Sequence, residues 1–444
     1  MIHVFQQDDI RVVLDVNSGA VHILDDVTFE LLKNAKDKDD ILEGRILLRD
    51  RYSEIQLDEA VAELDALMEE GSLFSPFPDL KTDRTAEKQG LDMKALCLHV
   101  AHDCNLRCSY CFADKGKYGD AREKMPLDVA QKAIDFLLEN SSRKHVEVDF
   151  FGGEPLMNFE VVKKTVEYAL ERQKDRQVHF TLTTNATILD DEILAFINRH
   201  MDNVVLSLDG RKETHDRMRR YQNGRGSYDR VLGNIRRILA DRKKGSYFIR
   251  GTFTRENLDF SEDIRHLADL GFREISIEPV TGGAFAFNRE ELAVILKEYE
   301  EFAMEYARQE EYRFYHFNLD LYHGPCVYKR ISSCGAGFEY AAVVPDGSLY
   351  ACHQFAGMEA FRLGDVFNGI HNTALMEEMR SANVLNKEEC KECWARFLCS
   401  GGCHALAYFK NGDIKKPDQD HCTLQKKRME CAMIIAARRD MRNE

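Results

Sequence analysis

Three thiols stand close together in Cys104-Asn105-Leu106-Arg107-Cys108-Ser109-Tyr110-Cys111, a C-x3-C-x2-C loop with an aromatic residue before the last Cys. Thiolates are soft ligands, and three of them can hold three irons of a cubane cluster while the fourth iron stays open to a small molecule. An open iron implies chemistry at that position. Zinc also accepts closely spaced Cys with a fourth ligand elsewhere, so the triplet alone leaves both metals open. A second thiol-rich stretch runs from Cys326 to Cys422 and includes Cys334, Cys352, Cys390, Cys393, Cys399 and Cys403. The chain has 13 Cys, an odd number that cannot pair fully, and in a reducing cytosol such spacing points to metal and not to disulfides. Cys97 and Cys431 lie outside both stretches and read as buried, inert thiols.

Other short stretches carry groups suited to a small ligand. In Gly152-Gly153-Glu154-Pro155 the two glycines let backbone approach a ligand closely, and Glu154 can accept from an ammonium; alone, such a tetrapeptide is usually a turn. Ser207-Leu208-Asp209-Gly210 is either a ligand contact or a strand-ending turn with local caps. Asn185 follows Thr183-Thr184, and Arg217 and Arg219 compete for a cationic role after His215-Asp216.

The elements that must position these residues are legible from hydrophobic period. Strand-like runs at Ala95–Ala101, Val146–Phe151, His179–Thr184, Asn203–Leu208, Phe248–Phe253 and Glu274–Pro279 alternate with helical patterns at Leu127–Asn140, Phe159–Lys174, Asp190–His200, Ser227–Ala240 and Phe260–Leu270. Alternation of this kind predicts parallel strands with right-handed crossovers, and six units are too few to close an eight-stranded barrel. The Cys loop and the Gly-Gly-Glu-Pro turn then face one another at the C-terminal ends of neighbouring strands. After a helical stretch at Arg289–Gln309 the pattern becomes irregular and dense in Cys and Gly, as expected of a segment that needs metal to hold its shape.

The triplet, Gly-Gly-Glu-Pro and the six units together resemble the radical S-adenosylmethionine (SAM) superfamily, over about Ala95 to Pro279. The resemblance implies that Cys104, Cys108 and Cys111 hold a [4Fe-4S] cluster whose open iron chelates SAM. It places Gly153 and Glu154 at the methionyl ammonium with Gly152 beside them in the cofactor site, backbone near Tyr110 at the adenine, Ser207 and Asp209 at ribose and carboxylate, and Arg219 at the sulfonium side, with Asn185 a further contact. The Cys pattern of the last third resembles the SPASM extension of these enzymes, with two auxiliary [4Fe-4S] clusters and so three in all. On that resemblance Cys334, Cys352 and Cys403 serve the first auxiliary cluster, and Cys390, Cys393, Cys399 and Cys422 the second. The first set lacks a ligand, supplied either by Cys326 or by a substrate thiolate. His353, His404 and His421 read as structural or surface histidines.

At the front, apolar runs Ile10–Val16 and Val21–Leu24 flank Asn17-Ser18-Gly19, a hairpin loop, and helical patterns follow at Val27–Lys33, Ile41–Leu48 and around Leu57, Val61, Leu64 and Met68. This is the expected outline of a winged-helix unit. Its net charge over Met1–Leu80 is −12, within −15 for the chain, which makes nucleic acid a poor partner and a basic or polar peptide a better one. The expected architecture is therefore α/β: a partial (β/α)6 radical SAM barrel (93–310), an N-terminal winged-helix peptide-recognition domain (1–80) joined by a linker (81–92), and a C-terminal Fe–S SPASM domain (311–444). Apolar runs are too short for a membrane span and no signal peptide is evident, so a cytoplasmic protein is expected.

The whole pattern is similar to the clostridial thioether-forming maturases of six-cysteine SCIFF precursors. That resemblance implies a Cys-rich precursor peptide with a leader, an external one-electron reductant, and a 5′-deoxyadenosyl radical that takes a hydrogen from a Thr before a Cys sulfur joins the carbon. Formylglycine formation on a sulfatase, or carbon–carbon crosslinking, is the alternative within the superfamily; a DNA-binding Fe–S regulator is the alternative outside it.

Overall fold

A computed structural model describes residues 1–78, 91–118, 122–321 and 331–443. Most of the expected linker, and Cys326, lie outside the described residues.

The front unit is a three-stranded antiparallel sheet, β1 (Ile2–Gln7), β2 (Ile10–Asp15) and β3 (Val21–Leu24), followed by α1 (Asp26–Leu32), α2 (Lys38–Leu47) and α3 (Glu54–Glu69). Strand β1 is the element that periodicity did not reveal. Much of the acidic excess here has a local purpose. Asp25 caps α1, Asp37 caps α2 with Asp39 and Asp40 in its first turn, and Ser53 forms a capping box with Gln56 on α3.

The main sheet contains the six expected parallel strands in chain order: β4 (Ala95–His102), β6 (His145–Gly152), β7 (Gln177–Thr184), β8 (Asn203–Ser207), β9 (Ser246–Phe253) and β10 (Glu274–Pro279). A two-residue strand, β5 (Glu123–Lys124), pairs with β4, and β11 (Arg313–Phe314) closes the edge beyond β10. Helices α4 (Leu127–Glu139), α5 (Phe159–Arg172), α6 (Asp191–His200), α7 (Lys212–Met218), α8 (Tyr228–Asp241), α9 (Phe260–Asp269) and α10 (Arg289–Tyr306) complete the α/β pattern. Leu96, Leu98 and Val100 of β4 and Val146, Val148 and Phe150 of β6 join the helices in one buried core. Strand alternation therefore turns Cys97, His99, Asp149 and Phe151 to the opposite face.

The Cys-rich third is more ordered than its sequence suggests. Strand β12 (Tyr340–Val343) pairs in parallel with β4, Ala342 facing Cys97, and β13 (Ser348–Tyr350), β14 (Arg362–Asp365) and β15 (Gly369–Ile370) extend the same sheet antiparallel. The segment thus takes its shape partly from the main sheet's edge, a support that its irregular sequence pattern did not disclose. Helices α11 (Thr373–Ser381), α12 (Glu388–Lys391), α13 (Arg396–Cys399), α14 (His404–Asn411) and the long α15 (Gln419–Asn443) follow. Met433, Ile434 and Ala437 of α15 pack on Ile10, Val12 and Leu14 of β2, so the two ends of the chain share a core. No described helix is long and apolar enough to cross a membrane.

Candidate active site

The Cys loop leaves the end of β4 and is pinned on two sides. Arg107 and Ser109 donate backbone N–H to the carbonyls of Arg220 and Met218, at 2.7 and 3.0 Å. On the other side, Gly153 donates to Ala101 O at 2.8 Å and Glu154 to Asp103 O at 2.9 Å. The paired glycines are needed for this junction: a Cβ on Gly152 would lie 2.4 Å from Ala101 O, and one on Gly153 would lie 2.1 Å from Asp103 O. The close approach that the glycines permit is to the Cys loop's own backbone. Gly116, which the sequence did not single out, has φ +91°, and a Cβ there would lie 2.8 Å from Cys104 Cβ and 2.9 Å from Gly153 Cα.

Glu154 is fully buried, and its carboxylate accepts from Leu156 N (3.0 Å), Thr184 Oγ1 (2.8 Å) and Asn185 N (2.7 Å). Burial pushes its pKa up to about 7 against the pull of these donors. Its side chain thus secures the ends of β6 and β7. Asn185 Nδ2 points back to the Cys loop, at 2.9 Å from Asn105 Oδ1 and 3.6 Å from Cys104 Sγ.

A second constellation joins the loop to the end of β8. Buried Asp209 accepts from Tyr110 OH at 2.7 Å, Arg219 Nε at 3.0 Å and Thr252 N at 3.0 Å, while Arg219 lies over the Tyr110 ring at 5.5 Å. Arg217 instead donates to Glu256 O and is half exposed, so of the two arginines Arg219 stands at the Cys loop. Ser207 is half buried at the end of β8, facing Arg250 of β9. Cys104, Cys108 and Cys111 are half buried. Burial raises Cys104 to about 11 and Cys108 to about 12, the latter despite the nearby Arg219. Free thiolates are disfavoured there, and a bound cation centre would supply the compensating charge. Three thiols on one loop, held between two backbone clamps, fit the donor set of a cluster with one open iron.

Cys352, raised to about 12 by burial, interacts with Cys403 and Cys334. Cys422, also raised to about 12, interacts with Cys399, Cys390 and Cys393, and these four line one cavity together with Cys403. Lys387, buried with its Nζ on Gly401 O at 2.8 Å, lies among Cys390, Cys399, Cys403 and Cys422. Among the described residues no three His, Cys, Asp or Glu side chains converge tightly enough for a single metal ion. Cys97 and Cys431 are fully buried. His404 is buried, contacting Ala382 O at 2.8 Å, while His353, at 3.1 Å from Tyr340 OH, and His421, at 3.4 Å from Gln425, are half buried.

Several groups on the face opposite the helices escaped the sequence reading: Asp149, Arg250, Glu278 and His316. Burial would raise Glu278, but His316 Nε2 at 2.9 Å and Arg428 at 3.6 Å outweigh it and hold its pKa far below the usual value. An acid inside a strand's period-two pattern, as in Val148-Asp149-Phe150, was the available signal.

Residues 98–270 match the family model described as the Radical SAM superfamily. The match covers less than half of the chain. An uncharacterized protein of Methanocaldococcus jannaschii is 31% identical over 196 residues, 42% of this chain and 62% of that protein, so the match spans less than two thirds of that relative. The chain shares its fold with anSMEcpe bound to AdoMet and Cp18Cys peptide, at a TM-score of 0.63 and 22% identity over 78% of this chain and 99% of that one. Streptococcus suis SuiB bound to precursor peptide SuiA aligns at a TM-score of 0.53 and 15% identity, over 94% of this chain and 97% of SuiB.

Proposed function

We propose that the protein is a radical SAM maturase that installs an intramolecular Cys-to-Thr thioether in a ribosomally made precursor peptide. The observation that supports this reading is the second thiol region: Cys352 neighbours Cys334 and Cys403, and Cys390, Cys393, Cys399 and Cys422 line one cavity with Cys403, in a chain that matches the radical SAM family model. Two auxiliary clusters suit a reaction that must remove a second electron from its product. Cys104, Cys108 and Cys111 would hold the core cluster; Cys334, Cys352 and Cys403 the first auxiliary one, with Cys326 or a substrate thiolate completing it; and Cys390, Cys393, Cys399 and Cys422 the second.

When bound, the core cluster and SAM supply a hydrogen-abstracting reagent. The chain's own work is to bind, orient and shield. Gly152 and Gly153 bring the end of β6 against the Cys loop, and their backbone, with Glu154 behind it, offers acceptors to the methionyl ammonium. Tyr110, Asp209 and Arg219 form one buried unit, so the loop cannot shift without moving the end of β8; Ser207 and Asn185 flank the same mouth. The front unit would hold the leader by strand addition at a sheet edge. The SuiB alignment supports this by covering too much of the chain for the whole front unit to lie outside it.

The test is anaerobic reconstitution, then SAM, reductant and a Cys- and Thr-rich leader peptide. About twelve irons, deoxyadenosine, and a peptide lighter by two hydrogens with one Cys no longer alkylatable are expected. An aldehyde at a Cys or Ser would favour formylglycine formation, and SAM cleavage itself disposes of the regulator.

A further inference from the structure

Joining a thiol to a carbon removes two hydrogens. One leaves carbon as an atom; the other leaves sulfur as a proton, while one electron passes to an acceptor of the iron–sulfur class. A proton acceptor must therefore stand near the sulfur. We propose that Asp149 is that acceptor: its carboxylate takes the proton of the substrate Cys thiol, the S–H bond breaking as an O–H bond forms. This rests on the thioether reading above.

The position of Asp149 carries the inference. It lies on β6, on the face turned away from the helices, and its Oδ1 is buried without a hydrogen-bond partner. It also lies between the two groups of thiols that the chemistry must bring together. Tyr118 interacts with Cys97, Cys111, Cys104 and Cys352, and Tyr340 with Cys97, Cys352 and Asp149. The neighbours thus run from the Cys loop through Tyr118 and Cys97 to Asp149 and Tyr340, and on to Cys352.

The groups facing Asp149 are Cys97 from β4, Glu147 from its own strand, Thr183 from β7, Arg250 from β9 and Tyr340 from β12. Burial, then Glu147, raises its pKa to about 7, against Cys97, Arg250 and Thr183, which suits a group that must take a proton near neutrality. Glu154 has a similar value, but three donors already occupy its oxygens. His353 Nδ1 is engaged by Tyr340 OH at 3.1 Å. Of these groups Asp149 is the one with a buried carboxylate oxygen that lacks a hydrogen-bond partner.

Asp149→Asn and Asp149→Glu, reconstituted anaerobically to the wild-type iron content, test the proposal through the ratio of thioether peptide to deoxyadenosine between pH 6 and 9. At pH 7 the Asn variant should lose about 100-fold or more in that ratio. The deficit should shrink toward pH 9, where a free thiol ionises unaided, about 8.5 being its ordinary pKa, and Glu should restore part of it. Infrared difference spectra of the wild type should show carboxylic acid titrating near pH 7, with the signal smaller in the Asn variant because Glu154 alone then contributes to it. An unchanged ratio, a deficit equal at every pH, or an undiminished signal in the Asn variant overturns the assignment. A wild type that makes deoxyadenosine but no thioether from its peptide overturns the thioether reading and the assignment with it. A wild type that makes thioether while Asn does equally well removes Asp149 alone.

Discussion

Tyr110, Asp209 and Arg219 work as one residue-scale unit, because a fully buried carboxylate must have its lone pairs matched. Tyr110→Phe removes one donor and leaves Asp209 Oδ2 without the 2.7 Å hydroxyl, a loss of about 1–3 kcal/mol. The expected result is a raised KM for SAM with core iron retained, read by deoxyadenosine kinetics and iron analysis. Asp149 gives a second prediction through linkage. Its carboxyl ionises near 3.8 when unperturbed, and in the fold it keeps its proton to about 7. Between those values the folded protein holds a proton that the unfolded chain has released, so stability falls as pH rises through the window and is level outside it. Asp149→Asn removes the effect. The variant should gain on the wild type by up to about 4 kcal/mol from pH 4 to pH 7.5, read from urea unfolding midpoints.

Strand ends and glycines set the element scale. The β4 and β6 ends meet only because Gly153 has no Cβ, since the 2.1 Å contact is with backbone and nothing flexible can yield. Gly153→Ala should separate the Cys loop from β6 and abolish both core iron retention and SAM cleavage, as iron analysis and deoxyadenosine assays would show. Gly233 is the counter-case. It is exposed within α8, and a Cβ there meets nothing within 4 Å. Gly233→Ala should stabilise by about 0.5–1 kcal/mol with unchanged SAM cleavage, because only helix propensity changes. The melting temperature would check it.

Across the whole molecule, α15 ties the parts together. It carries Cys422 near its start, donates from Arg428 Nε to Tyr299 OH at 3.1 Å, and packs its later apolar residues on β2. His3 adds a flat stack on Trp394 with ring centroids 3.8 Å apart and a 3.0 Å contact to Glu430. Removing the front unit would therefore uncover α15 as well as delete a recognition surface. Val12→Asp places a charge in that shared core. It should release the front unit to protease and lower the iron held by the set containing Cys422, while core-cluster iron stays near the wild-type level. Equal protease resistance would refute the coupling.

The order and type of the barrel elements were legible because hydrophobic period is local: each of the six strands is a run whose apolar residues mark its own inner face. The Cys triplet was legible for the same reason, since its three thiols share one loop. The division of Cys334, Cys352 and Cys403 from Cys390, Cys393, Cys399 and Cys422 came from resemblance; in the structure Cys352 neighbours Cys334 and Cys403, and Cys403 also lines the cavity of the other four. Three things escaped the reading of residues. The pairing of β12 with β4 joins segments about 240 residues apart, and no local pattern encodes which sheet edge a short strand will meet. Gly116 owes its need for glycine to Cys104 and Gly153, neighbours only in space. Alternation along His145–Gly152 sets Asp149 opposite Val148 and Phe150, but it does not say what that opposite face contains. Sequence determines which residues share a face; only tertiary packing decides what two faces enclose, because desolvation and charge at one atom depend on every chain segment around it.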